Sequence, residues 1–155
     1  MDDLKVRAIM NSDVVTVTPE TTVRDLAAIL AKHQVSGVPV VDSEDRVVGM
    51  VSQADVIVQD ADLHFPYYIS FLDSVLYLPG SIHNFEERFR KIFAVKVSDI
   101  MSDGVVSISP DASVREAAAI MADNQVNRLP VLASLKLVGI VTRGDIVQAI
   151  AEHKA

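Results

Sequence analysis

Gly139-Ile140-Val141-Thr142-Arg143-Gly144-Asp145 reads as a glycine, a short apolar strand and a Thr-x-x-Asp that enters a helix. The same phrase stands earlier in the chain as Gly49-Met50-Val51-Ser52-Gln53-Ala54-Asp55. Working outward from the two phrases exposes an internal duplication. Val14 to Val41 aligns with Val105 to Leu132 at a constant offset of 91, with 13 of 28 positions identical. One deletion in the second copy then brings Gly49 onto Gly139 and Asp55 onto Asp145. Two copies are too few for a solenoid, which needs about three or more repeats. The duplication predicts two half-domains packed with approximate two-fold symmetry.

Each copy has the same order of elements. A short helical turn ends in Ile9-Met10 or Ile100-Met101, and a β-branched strand follows, Val14–Val17 or Val105–Ile108. After Pro19 or Pro110 a helix begins at Thr22-x-x-Asp25 or Ser113-x-x-Glu116, both with capping-box spacing. Val23, Leu26, Ala27 and Leu30, and their counterparts Val114, Ala117, Ala118 and Met121, recur at helical spacing and predict one buried face. Two strands and a last helix complete a β-α-β-β-α unit. The fold class is therefore α+β. Copy one spans 1–59, an insert 60–94, and copy two 95–155.

The insert has no counterpart in either copy and holds all eight aromatic residues, from Phe65 to Phe93. Tyr67, Phe71, Leu72, Val75 and Leu76 have helical spacing. Asn84 with Glu87 reads as the start of a second helix carrying Phe85, Phe89, Ile92 and Phe93. These rings either fill core or meet another subunit.

Composition narrows the function. The chain has 155 residues, half of them apolar, and a mean hydropathy of +0.30, enough for a substantial core. No apolar run approaches the roughly 20 residues of a membrane helix, and the acidic start Met1-Asp2-Asp3 does not suit a signal peptide. With no cysteine there are no disulfides or thiolate metal sites, and a cytoplasmic protein is the simplest fit. The net charge of −7 argues against a general nucleic-acid surface, which needs a basic face. An anionic small molecule remains compatible.

Ser52-x-x-Asp55 and Thr142-x-x-Asp145 have two readings. Both match an ordinary capping box. Both also stand at strand-to-helix junctions, where helix N–H groups favour an anion, with a carboxylate one turn in that suits a ribose diol. A second paired element is Val35-Ser36-Gly37-Val38-Pro39 and Val126-Asn127-Arg128-Leu129-Pro130. Each proline removes an N–H donor from its strand and leaves backbone groups that suit a purine edge. Arg128 stands opposite Gly37 and is either a solvated surface arginine or a fork for phosphate oxygens. Catalysis finds little footing. His33, His64, His83 and His153 are scattered without metal-ligand spacing, and there is no Gly-x-Ser-x-Gly elbow. No catalytic residue and no metal site is assigned.

The duplicated unit, the Val-x-x-h-Pro segments (h apolar) and the Gly-h-h-Ser/Thr-x-x-Asp phrases together resemble a tandem pair of CBS (cystathionine-β-synthase-type) domains, a Bateman module. The resemblance implies two clefts, each drawing on both copies, that bind adenosine ligands (AMP, ADP, ATP or S-adenosylmethionine) and regulate a partner without chemistry. In cleft A it implies phosphate contacts from Thr142, Gly144, Arg128 and Arg143, and ribose contacts from Asp145. The base would lie against Met10, Val15, Val35, Ser36, Gly37 and Pro39. In cleft B it implies Ser52, Ala54 and Asp55, with Met101, Val106, Val126, Asn127 and Pro130 around the base. Arg128 falls where a nucleotide-sensing member of the family carries a phosphate-binding arginine. With Gly37 in its place, cleft B is expected to hold phosphorylated ligands less tightly. The expected function is an adenine-nucleotide sensor, active as a homodimer on an unidentified regulated protein. The alternatives are an S-adenosylmethionine sensor and a structural dimerisation module with empty clefts.

Overall fold

The computed structural model of the protein describes residues 4–61, 68–71, 74–77 and 95–152. After a 3-10 turn at Val6–Ala8 come helix α1 (Val23–His33), strands β1 (Gly37–Val41) and β2 (Val47–Ser52), and helix α2 (Gln53–Ala61). Strands β3 (Tyr68–Phe71) and β4 (Ser74–Tyr77) follow. The second copy then supplies α3 (Val97–Ile100), α4 (Val114–Asp123), β5 (Arg128–Ala133), β6 (Lys136–Thr142) and α5 (Arg143–Glu152). Among the described residues the strands pair only as three hairpins, β1–β2, β3–β4 and β5–β6.

The chain divides into two compact units. The first holds Met1–Val17, Val38–Met50 and Ser102–Ala155, the second Thr18–Gly37 and Val51–Met101. The division follows an exchange of lead-in segments. In the first unit the lead-in of copy one lies on the start of copy two. The Val6 amide donates to the Ala112 carbonyl (2.9 Å), that of Arg7 to Pro110 (3.0 Å), and that of Val114 back to Leu4 (2.9 Å). An Arg7–Asp111 ion pair flanks these bonds. In the second unit the lead-in of copy two lies on copy one in the same way. Val97 N–H donates to Thr21 (2.8 Å), Ser98 to Pro19 (3.0 Å) and Val23 to Val95 (2.9 Å), flanked by Lys96 and Glu20.

The first unit's core therefore takes Val6 from one copy and Ile108, Val114, Ala117, Met121, Leu129, Val131, Val141 and Ile146 from the other. Burying such side chains is worth roughly 1.5–3 kcal/mol each. In the second unit Val23, Leu26, Leu30 and Val97 are buried, while Ala27, expected on the same face, is exposed. Both long helices start as their sequences foretell. Thr22 Oγ1 accepts from the Asp25 amide and Ser113 Oγ from the Glu116 amide, each at 3.1 Å.

Two expectations are corrected. Val14–Val17 and Val105–Ile108 are not full strands. Each makes one parallel bridge, Val17 with Val40 and Ile108 with Val131. Val17 donates to Pro39 (3.1 Å) and accepts from Val41 (2.9 Å). The next bridge toward Val15 would need an N–H from Pro39, and the next in the other direction one from Pro19. Pro130 and Pro110 impose the same limits on Ile108. A proline on each side thus cuts the ladder to a single rung.

The other correction concerns the insert. Where helical spacing predicted a helix over Tyr67–Leu76, the chain forms the antiparallel hairpin β3–β4, pairing Tyr68 with Tyr77 and Phe71 with Ser74. Tyr68-Ile69-Ser70-Phe71 and Ser74-Val75-Leu76-Tyr77 are aromatic and β-branched runs two residues apart, which favours a hairpin over a helix. The helix expected from Asn84 lies outside the described residues.

Candidate functional site

The strand β6 reaches the Thr142–Asp145 turn with its glycine under cover. A Cβ on Gly139 would lie 2.6 Å from Met10 Sδ and 3.1 Å from the Asn11 carbonyl oxygen. Glycine is needed here for close approach, since no side chain fits between the strand and the lead-in. Asn11 and Ile140 exchange two backbone hydrogen bonds of 2.9 Å. Met50 and Ser102 do the same in the other copy, at 3.2 and 2.9 Å.

At the end of β6 the turn closes on itself. Asp145 Oδ2 accepts from both the Thr142 amide and the Thr142 hydroxyl, each at 2.7 Å. The Asp145 amide donates to Thr142 Oγ1 at 3.4 Å. In copy one Asp55 Oδ2 accepts from the Ser52 amide at 2.8 Å and the Ser52 hydroxyl at 3.1 Å. The reciprocal capping box is therefore complete in copy two, copy one makes the carboxylate half of it, and each uses one oxygen of its carboxylate. Ser52, Asp55, Thr142 and Asp145 are half-buried, while Ala54, Arg143 and Gly144 at the helix starts are exposed. Capping and ligand contact are compatible, because the same bonds that cap the helix fix the carboxylate's position.

Each turn is tied to the Val-x-x-h-Pro segment of its own copy. The Arg143 amide donates to the Asn127 carbonyl (3.1 Å) and the Gln53 amide to the Ser36 carbonyl (2.9 Å). The Val126 and Val35 amides bond back to Met121 and Leu30 (3.0 and 3.1 Å), closing the preceding helices. These bonds occupy the Val35 and Val126 amides and one lone pair each of the Ser36 and Asn127 carbonyls. Arg128 pairs with Thr142 in the β5–β6 register. Its side chain is half-buried, with Nη1 shielded from solvent, so it is not a solvated surface arginine.

Of the residues expected in cleft A, the first unit holds Met10, Val15, Pro39, Arg128, Thr142, Arg143, Gly144 and Asp145, and the second holds Val35, Ser36 and Gly37. Of those expected in cleft B, Ser52, Ala54, Asp55 and Met101 fall in the second unit and Val106, Val126, Asn127 and Pro130 in the first. Pro39 and Pro130 are fully buried, and each lacks the N–H that would extend the β-ladder by another rung. Gly37 is also buried, while Ser36 and Asn127 are exposed.

Within the first unit a hollow of about 210 Å³ borders Asp145 and is lined also by Ala8, Ile9, Gln148, Ala149 and Glu152. None of these five was expected at a site from sequence. The i, i+3, i+7 spacing of Asp145, Gln148 and Glu152 is the signal that would have found the two polar ones. The hollow is below the roughly 300–1,000 Å³ of small-molecule sites. A larger hollow of about 330 Å³ lies at the hairpin turns, lined by Thr16, Val41, Glu44, Asp45, Lys136 and Leu137, and contains none of the expected site residues. Among the described residues no group of three His, Asp or Glu side chains is placed to hold a metal ion, and no helix is long and apolar enough to cross a membrane.

Known proteins share this arrangement. The CBS domain matches twice, at residues 6–61 and 97–152. The uncharacterized protein MJ1426 of Methanocaldococcus jannaschii is 30% identical over 152 residues, covering 94% of this chain and 90% of that protein. The crystal structure of CBSX2, a CBS-pair protein of Arabidopsis thaliana, in complex with AMP has a TM-score of 0.73 at 26% identity, over 98% of this chain and 99% of that one. The CBS domain pair of protein MJ0100, in complex with 5′-methylthioadenosine and S-adenosyl-L-methionine, has a TM-score of 0.71 over 97% of this chain and 98% of that one. At 21% identity, its likeness speaks for the fold alone. With both copies matched over nearly their whole length, the chain belongs to the CBS domain family and carries the domain as a tandem pair.

Proposed function

We propose that the chain is a non-catalytic, cytoplasmic regulatory module that binds adenine nucleotides and reports their level to a partner. The observation that carries this reading is the Thr142–Asp145 turn. Its carboxylate is preset by its own capping bonds and is half-exposed. It opens helix α5, and in register beside it stands an arginine that is partly withdrawn from water. A fixed carboxylate suits the ribose hydroxyls. Helix amides and a guanidinium suit phosphate. The AMP complex of CBSX2, 26% identical over almost the whole chain, supports the same ligand class. Binding shifts the module toward one arrangement by its differential affinity for the two states.

A thermal melt with and without millimolar AMP, ADP, ATP and S-adenosylmethionine tests the reading. A ligand at 100 times its dissociation constant adds about 2.7 kcal/mol of stability. No shift with any of the four would sink it. Arg128→Ala lowers AMP affinity at least about tenfold, the loss of one charge-assisted contact, and lowers adenosine affinity less.

Self-association is a second part of the reading. Ile57 and Val147, counterparts in the two copies, are 65% and 64% exposed. Large apolar side chains left in water at equivalent positions suit an isologous contact between two copies of the chain. Light scattering on Val147→Glu, expected to shift the protein toward monomer, checks it.

A further inference from the structure

The hollow of about 330 Å³ at the hairpin turns lies wholly within the first unit and is large enough for a small molecule. The buried Val41 and the half-buried Leu137 give it an apolar wall, and the exposed Thr16, Glu44, Asp45 and Lys136 bring polar groups to it. Glu44 is already paired with Arg46 at 3.1 Å. Among the described residues, neither the Asp45 carboxylate nor the Lys136 ammonium has a hydrogen-bond or ion-pair partner. The two hairpins thus bring opposite charges to one hollow without joining them. The duplication does not repeat this pairing. Lys136 corresponds to Arg46, but the copy-two turn Ala133-Ser134-Leu135 holds no carboxylate. The backbone here is also unusual. Gln34 and Gln125 take left-handed φ at helix ends, where it is common. The other described residues that do so are Asp45, which lines the hollow, and Ser134 and Leu135, which lead into Lys136. Backbone strain of this kind collects at ligand sites.

We infer that this hollow is a second ligand site, one per chain, for a free α-amino acid with an aliphatic side chain. Asp45 takes the α-ammonium and Lys136 the α-carboxylate, each a charge-assisted contact. Val41 and Leu137 take the side chain. Other ligand classes fit the lining less well. A phosphate ester would meet the carboxylates of Glu44 and Asp45, and a metal ion would meet the Lys136 ammonium. A zwitterion answers both charges at once. The site shares no residue with the two expected nucleotide clefts, and the inference stands apart from the nucleotide-binding reading.

Isothermal titration of the full chain with millimolar L-alanine, L-valine, L-leucine and L-methionine tests the inference. At least one is expected to bind, with one equivalent per chain. The best of them is then compared with its singly charged analogues. For leucine these are 3-methylbutylamine, which lacks the carboxylate, and 4-methylpentanoate, which lacks the ammonium. Each analogue is expected to bind about tenfold more weakly or worse, the loss of one charge-assisted contact. Asp45→Asn, which keeps a residue that tolerates the left-handed turn, and Lys136→Gln are each expected to weaken the amino acid by a similar factor. Both positions are exposed, so the ligand-free melting temperature and any AMP affinity are expected to stay unchanged. Binding of none of the four amino acids overturns the inference. So does an analogue that binds as tightly as the amino acid, or a variant at either position that keeps full affinity. Displacement of the amino acid by AMP also overturns it, because that would place the ligand in a nucleotide cleft.

Discussion

Copy one and copy two arrive at the same turn with different tightness. In copy two, Asp145 accepts twice at 2.7 Å and returns a long bond to Thr142. In copy one, Asp55 accepts at 2.8 and 3.1 Å, and no return bond forms. The strand behind each turn differs in the same sense. Ile140 and Asn11 exchange bonds of 2.9 Å, while Met50 and Ser102 exchange bonds of 3.2 and 2.9 Å. A duplicated sequence thus supports one turn more firmly than the other. Firmness matters for binding because a preset carboxylate loses less freedom when a ligand arrives.

The strongest way to break the difference is at Gly139. Gly139→Val forces the Met10 side chain and the Asn11 carbonyl off β6. Overpacking of this kind costs about 1–3 kcal/mol, read as a lower urea midpoint. Adding Met10→Ala recovers part of the loss, because the two residues share one space and their effects are not additive. If the double variant is no more stable than Gly139→Val alone, Met10 is not what the glycine accommodates.

A smaller effect separates the two carboxylates. Asp145→Ala leaves the Thr142 amide without its acceptor and is expected to cost about 1–2 kcal/mol in the ligand-free protein. Asp55→Ala is expected to cost less, since its hydroxyl contact is already long. Parallel urea titrations compare them. Equal losses would mean that the difference in bond lengths carries no energy. The same pair titrated with AMP is expected to show the larger affinity loss for Asp145→Ala.

Much of this was legible in the chain because the duplication repeats its own evidence. The capping boxes at Thr22 and Ser113, the paired turns and the hairpins each occur twice, so weak local signals reinforce one another. The exchange of lead-ins was not legible. Val6 and Val97 belong by sequence to one copy and by packing to the other, and no local pattern says which partner a short apolar turn will choose. The single-rung bridges were readable in principle. Pro19, Pro39, Pro110 and Pro130 were visible, but their effect depends on register, which single-chain reading does not supply. The insert misled because Tyr67, Phe71 and Leu76 satisfy helical spacing while the intervening residues satisfy strand alternation, and short apolar runs fit both periods. At the candidate site, Asp145 and Arg128 are half-buried polar groups, a burial that residue type alone does not tell. Pro39 and Pro130, expected beside a ligand, lie fully buried, and burial is something a motif's spacing does not give.

The hairpin turns give the smallest and cleanest comparison. Copy one fastens its turn with Asp42, whose Oδ1 accepts from the Glu44 and Arg46 amides at 2.9 and 3.0 Å and whose Oδ2 accepts from Arg46 Nε at 2.8 Å. The Arg46 amide above all holds the Asp42 carboxyl below its ordinary value. Asp45 takes the left-handed position at φ 59°, which aspartate tolerates. Copy two, one residue shorter, puts Ser134 and Leu135 at φ 50° and 68°, a pair of left-handed positions that normally call for Asn-Gly. Leu135 is 78% exposed, so its side chain returns little packing for the strain, which for such a residue is about 1–2 kcal/mol. Leu135→Gly relieves the strain but adds unfolded-state freedom of roughly 0.5–1 kcal/mol. The net expectation is a gain of about 0.5–1 kcal/mol in urea unfolding, against a smaller change for Asp45→Gly. A loss of stability in Leu135→Gly would show that the exposed leucine makes a contact in solution, and light scattering on the same variant would tell whether that contact is with a second copy of the chain.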